Sequence, residues 1–365
     1  MKKADEPLYY SDYLHLEKLL SSQVPKSAEQ GKTPAHDEML FIIVHQVYEL
    51  WFKEILHELT SVISIFAKEY VEEKDVGIAV MRLTRITEIQ KLLIDQLRVL
   101  ETMTALDFLE FRDLLFPASG FQSVQFRLIE NKLGMKPDQR LLYNKQAYYA
   151  NLTPQHQELL QRSEHEPSIF EAIERWLERT PFLDFAGFKF WEHYRTAVER
   201  LLETDRRVIL GNPHTSEDEK SKQSHELSIN EDNFAALLDE AKHNELIARS
   251  RRRLSHKATQ AALLIQLYRD EPILHLPFRL LTVLMDMDEA FTTWRYRHAQ
   301  MAHRMIGTKL GTGGSTGYAY LKATVDKYKV FADLFNLSTF LIPRSSLPEL
   351  PEEVKKNLGF YYSKS

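Results

Sequence analysis

Apolar residues recur along this chain every three to four positions, in runs long enough for several helical turns, while the two-residue alternation of a half-buried strand is scarce. The pattern predicts helices at 10–22, 36–69, 71–103, 106–115, 122–132, 154–164, 167–178, 189–209, 229–243, 248–269, 274–306 and 318–328. Only 12 glycines and 14 prolines punctuate them, so the expected fold class is all-α, a helix bundle. "TPAHDEML" opens the second helix, with Thr33 in the place of an N-cap and Pro34 pre-set for a first turn. The stretch "LGNPHTSEDEKSKQSHELSINEDN", Leu210 to Asn233, is polar and charged. It reads as a solvated loop or short surface helix inserted into a single domain spanning 1–365.

Two helices depart from a simple one-sided pattern. From Met39 to Trp51 the second is apolar almost all round, which predicts burial on most sides. His45 lies inside that run, four residues after Phe41, so the two share a face. A core histidine bonded to a neighbouring helix fits this placement. A pocket wall fits it too, with Phe41 packed on a flat ligand and His45 offering a polar contact.

Near the C-terminal end, Phe291, Trp294, His298, Met301, Ala302 and Met305 form one stripe in which His298 is the polar member. Arg295, His303 and Arg304 lie off it. His298 and His303 stand about 140° apart on a helix turning ~100° per residue, so they cannot grip one ion as an i, i+4 pair does. His298 is left with two readings, a satisfied core histidine or the axial ligand of a haem iron held between helices.

The next segment, "GTKLGTGGSTG", holds 5 of the 12 glycines. It follows a helix and lacks the lysine of a phosphate loop, so that motif is excluded. A flexible helix end capped by Gly307 accounts for one glycine; a loop that closes on a ligand, with the Thr312 hydroxyl among its amides, accounts for more. Upstream, "FLEFRDLLFPASGF" places Phe108, Phe111 and Leu115 on one helical face with Arg112 beside it. A surface arginine has that pattern, as does one that grips a carboxylate beside an aromatic wall.

Composition narrows the chemistry. There is no cysteine, which removes disulfides, thiolate nucleophiles, cysteine–zinc sites and iron–sulfur clusters. A formal charge of -5 offers no basic excess for nucleic acid. No apolar run approaches the ~20 residues of a membrane span, so a cytoplasmic protein is expected. GxSxG, HExxH, EF-hand, Rossmann and kinase motifs are missing, and their chemistries lose sequence support.

Six blocks in order, "YYSDYLHLEKLLSSQ", "HDEMLFIIVHQVYELWFKEILHEL", "FRDLLFPASGFQSVQFRLIENKLG", "RRLSHKATQAALLIQLYRDEP", "WRYRHAQMAHRMIGTKLGTGGSTGYAYL" and "YKVFADLFNLSTFLIPR", resemble the tryptophan 2,3-dioxygenase family over nearly the whole chain. The resemblance implies a mainly helical homotetramer with one haem b per subunit that joins L-tryptophan and O₂ into N-formyl-L-kynurenine. It makes His298, the first histidine after "WRY", the metal ligand, while His303 does not match. Phe41 and His45 match the pocket pair in which the histidine bonds the indole N–H and assists catalysis. Arg112 matches the residue that binds the substrate carboxylate, Thr312 one near the amino and carboxylate groups, and Ser119 and Gly120 the edge of the haem. Tyr10 and Tyr13 match residues that reach a neighbouring subunit's pocket. Phe108 stands where some members have tyrosine, and the 210–233 stretch where longer members carry extra sequence. Rival readings are a relative acting on another indole or aromatic amino acid, and a haem sensor or carrier, which has no use for an amino-acid clamp of Arg112 and Thr312.

Overall fold

A computed structural model describes residues 7–30, 33–141, 147–179, 189–309 and 317–359. Its first half contains α1 (Tyr10–Tyr13), α2 (Leu16–Leu20), α3 (His36–Phe66), α4 (Glu73–Leu100), α5 (Ala105–Arg112), α6 (Val124–Leu133), α7 (Pro154–Ser163) and α8 (Ile169–Arg179). The second half contains α9 (Phe190–Gly211), α10 (Glu217–Leu238), α11 (Glu240–Ala248), α12 (His256–Leu267), α13 (His275–Ile306), α14 (Gly317–Lys327), α15 (Ala332–Asn336) and α16 (Glu352–Leu358). No strand occurs among the described residues, so the fold is all-α. None of these helices is long and apolar enough to cross a membrane.

Three long rods set the frame, with α4 packed against both α3 and α13. The buried positions of α4, among them Val76, Val80, Leu83, Ile86, Leu93 and Leu97, repeat every three to four residues and fill the space between its neighbours. Fully burying each such side chain is worth about 1.5–3 kcal/mol. Polar side chains then fix the register across the seams. Gln90 Nε2 donates to the Met287 carbonyl at 2.9 Å, Gln96 Nε2 to that of Val44 at 2.9 Å, and the Tyr48 hydroxyl to that of Leu93 at 2.6 Å. Around this frame α6 packs on α3, α14 lies along α13, and α8 bridges α3 and α12.

Caps explain several boundaries. Thr104 and Asp107 form a capping box on α5, and Ser123, Thr153, Ser216, Asp239 and Ser255 each accept a first-turn amide of the helix that follows. Gly134 ends α6 at φ 108°, where a Cβ would also lie 2.7 Å from that of Phe170. Gly307 caps α13 at φ 59°.

Several boundaries differ from the periodic reading. The helix expected at 10–22 is broken at His15, whose φ of 50° is left-handed. α3 starts at His36 with Ala35 as N-cap, not at Thr33 and Pro34. Its first turn is claimed by the chain before it: the buried Glu38 carboxylate accepts the amides of Lys26 at 2.7 Å and Ser27 at 2.9 Å, and Ser27 Oγ accepts the Ala35 amide at 2.9 Å. Most of the polar 210–233 stretch lies in α10, which pairs with α9. Glu, Lys, Gln and Ser with few apolar residues give no stripe to detect, yet the Ser216 cap and an acidic first turn at Glu217, Asp218 and Glu219 favour a helix there.

Candidate active site

One face of α3 presents Phe41, His45, Tyr48, Glu49 and Phe52 to a cavity of about 270 Å³ between the long helices. α13 supplies Trp294, Arg295, His298, Met301 and Met305, and α5 supplies Phe108 and Arg112. Leu97, Leu100 and Met103 close the wall at the end of α4; Ser119, Gly120 and Phe121 add the segment before α6. Six residues singled out in the sequence, Phe41, His45, Arg112, Ser119, Gly120 and His298, thus meet in one cavity.

The proton on His45 has a fixed place. Its Nδ1 lies 2.7 Å from the Phe41 carbonyl, which only accepts, so Nδ1 carries the hydrogen and the neutral ring turns an Nε2 lone pair outward. The ring is open to the cavity and therefore accessible, but the protein around it strips away bulk water. That desolvation lowers its pKa, opposed by the Phe41 carbonyl and the charge of Glu49. Aromatic packing holds the pair. The Phe41 ring lies 4.1 Å from that of His45, 5.6 Å from Phe108 and 5.5 Å from Phe111. Arg112, with its side chain 15% exposed, borders this aromatic group at the end of α5.

His298 is stacked on Trp294, with ring centres 5.1 Å apart and planes at 4°. No described residue hydrogen-bonds it, and burial, helped by the repulsion a protonated His45 would exert, pulls its pKa down to about 4. At neutral pH it is an uncharged imidazole with a lone pair available to a metal. His303 turns away and stacks on Tyr318 of α14 at 4.2 Å, as their angular separation on the helix requires.

The cavity floor holds charge that local patterns did not reveal. Glu130 of α6 accepts Arg127 at 2.9 Å, Arg140 at 2.5 Å and Arg295 at 3.1 Å, all buried. Burial alone would raise the Glu130 carboxyl, but the guanidiniums of Arg140, Arg127 and Arg295 hold it at about 2. Arg295 lies off the apolar stripe and is nevertheless buried, because Glu130 from another helix meets its charge. Three guanidiniums against this one carboxylate leave the floor positive. Tyr48, Glu49 and Trp294 also line the cavity without having been singled out as site residues; Glu49, one turn beyond His45, had a detectable signal in its spacing.

Two expectations fall elsewhere. Thr312 lies outside the described residues. Tyr10 and Tyr13 sit on α1, away from this cavity, and are 74% and 68% exposed in the single chain. Leu8, Tyr9 and Leu20 are exposed beside them.

Residues 1–341 match the sequence pattern of the tryptophan 2,3-dioxygenase family. A tryptophan 2,3-dioxygenase of Bdellovibrio bacteriovorus is 53% identical over 356 residues, 98% of this chain and 99% of the relative. That of Dictyostelium discoideum is 50% identical over 99% of this chain and 90% of its own length. A Danio rerio relative, tryptophan 2,3-dioxygenase B, is 49% identical over 97% of this chain and 87% of its own length.

Proposed function

The chain belongs to the tryptophan 2,3-dioxygenase family, and from that premise we propose that it is a haem-dependent enzyme inserting both atoms of O₂ across the indole C2–C3 bond of L-tryptophan. The product is N-formyl-L-kynurenine, the opening step of tryptophan degradation by the kynurenine route. The observation that carries the reading is the meeting of His298, the Phe41–His45 pair and Arg112 in one cavity.

Haem b suits the residues present. His298 offers an uncharged nitrogen with no competing partner among the described residues, and the surplus guanidinium charge at Arg127 and Arg295 complements the carboxylates that haem carries. Ser119 and Gly120 border the cofactor's edge. When bound, the ferrous haem supplies O₂ binding and activation.

The protein's share is orientation and exclusion of water. His45 Nε2 accepts the indole N–H, a role its tautomer allows without removing the proton. Phe41 and Phe108 pack on the indole faces, and Arg112 binds the substrate carboxylate in a charge-assisted contact. Thr312 completes the hold on the amino acid's polar end. The working form is a cytoplasmic homotetramer in which Tyr10 and Tyr13 of one subunit complete a neighbour's pocket; their exposure in the single chain supports that reading.

The test is reconstitution with haem, reduction, and addition of L-tryptophan and O₂, followed by product analysis. N-formyl-L-kynurenine is expected. A protein that loads haem but makes none, or a ferrous spectrum indifferent to L-tryptophan, overturns the reading in favour of a haem carrier.

A further inference from the structure

Glu49 is a cavity-lining carboxylate to which the mechanism above gives no task. It follows His45 by four residues on α3, so both side chains project from the same face of one rigid helix. Its position is fixed from α6, where Gln125 Nε2 donates to the Glu49 carboxylate at 2.8 Å and to its backbone carbonyl at 2.8 Å. No described cation lies within ion-pair distance of it, in contrast to Glu130 with three. The Glu49 carboxylate is therefore held in place beside the imidazole with no cation paired to it among the described residues.

We propose that Glu49 is a positioning residue for the reaction: its carboxylate supplies a fixed negative field that stabilises positive charge gathering at the indole nitrogen and His45 as the ring is oxidised. The inference rests on the dioxygenase reading. When indole C2–C3 loses electron density to oxygen, the ring nitrogen becomes more positive and its N–H a stronger donor. The hydrogen bond to His45 Nε2 then tightens and shifts part of that charge onto the imidazole, with no proton having to leave. A negative group already in place lowers the energy of that stage more than that of the resting complex, which is the condition for raising kcat. The other titratable or charged groups lining the cavity with His45 are Tyr48 of α3, Arg112 of α5, Arg127 and Glu130 of α6, Arg295 and His298 of α13, and Tyr320 and Tyr328. Arg112 is matched by the substrate carboxylate once substrate binds, and His298 is uncharged. Glu130 is engaged by its guanidiniums, and Glu49 is the charged side chain that acts on His45, favouring its protonated form against the desolvation that disfavours it.

Glu49→Gln tests this, because glutamine keeps an oxygen to accept from Gln125 and loses only the charge. In the haem-loaded enzyme we expect kcat to fall several-fold with KM little changed. The acid limb of kcat/KM, set by the need for an unprotonated His45 Nε2, should move to lower pH by on the order of half a unit. Glu49→Asp should recover part of both. The shift should vanish in a His45→Ala background. A readout independent of turnover is the titration of the His45 ring by ¹⁵N NMR in the ferrous, carbon-monoxide-bound protein, assigned by its loss in His45→Ala; its midpoint should drop in Glu49→Gln. An unmoved midpoint and acid limb overturn the role of Glu49 even where product forms normally. If the parent enzyme makes no N-formyl-L-kynurenine, the dioxygenase reading fails, while the NMR midpoint still reports whether Glu49 governs His45.

Discussion

His298 combines two properties that seldom coincide: it is deep enough for its proton to be lost at neutral pH, and no described neighbour occupies its nitrogens. His298→Ala should accordingly give folded protein that fails to load haem normally, measured as a lost or displaced Soret band after haem addition. A normally ligated spectrum would refute the ligand assignment. Arg112 makes a different prediction. Removing a charge-assisted contact worth about 1.5–3 kcal/mol in Arg112→Ala should raise KM for L-tryptophan roughly ten- to a hundredfold, with kcat falling less. Both residues were legible in the sequence because each interrupts or borders an apolar helical face. Arg295 was not, since a charged residue beside such a face looks the same whether water or another helix lies opposite.

At the scale of elements, the ion cluster ties α6 to α13 and to the segment that carries Arg140. Glu130→Gln leaves three buried guanidiniums short of their partner and should cost about 3–5 kcal/mol. The sign of its pH dependence follows from a lowered pKa. The stabilisation by Glu130 is fully present above the unfolded carboxyl's ~4.3 and is lost as pH falls toward its folded value of about 2. Denaturant unfolding of both proteins across that range should show the wild-type advantage shrinking below about pH 4.3; an advantage that stays constant would contradict the ionised state assigned to Glu130.

Helix existence and type were the most legible features, because burying one face imposes a 3.6-residue period whatever lies opposite. The ends were less so. Thr33 and Pro34 carry the right local chemistry for the start of α3, but Glu38 is committed to amides eleven and twelve residues earlier in the chain, a pairing no local window contains. α10 escaped for the opposite reason, its stability coming from capping and composition with little apolar periodicity.

For the whole molecule, the N-terminal arm gives the sharpest expectation. α1 and α2 contain no buried residue, yet carry Tyr10, Tyr13 and Leu20 outward. In the proposed tetramer Tyr13→Ala should retain haem and lose activity, and light scattering should show whether assembly is lost with it. Full activity in a monomer would rule out a shared pocket. The same arm is tethered to the rod that carries the substrate residues: Gln23 Nε2 donates to Gln46 Oε1 at 2.6 Å, and Gln46, adjacent to His45, donates back to the Ser22 carbonyl at 3.2 Å. If the proposed tetramer lends this limb to a neighbour's pocket, the expected outcome is a saturation curve steeper than that of independent sites that becomes hyperbolic in Gln46→Ala.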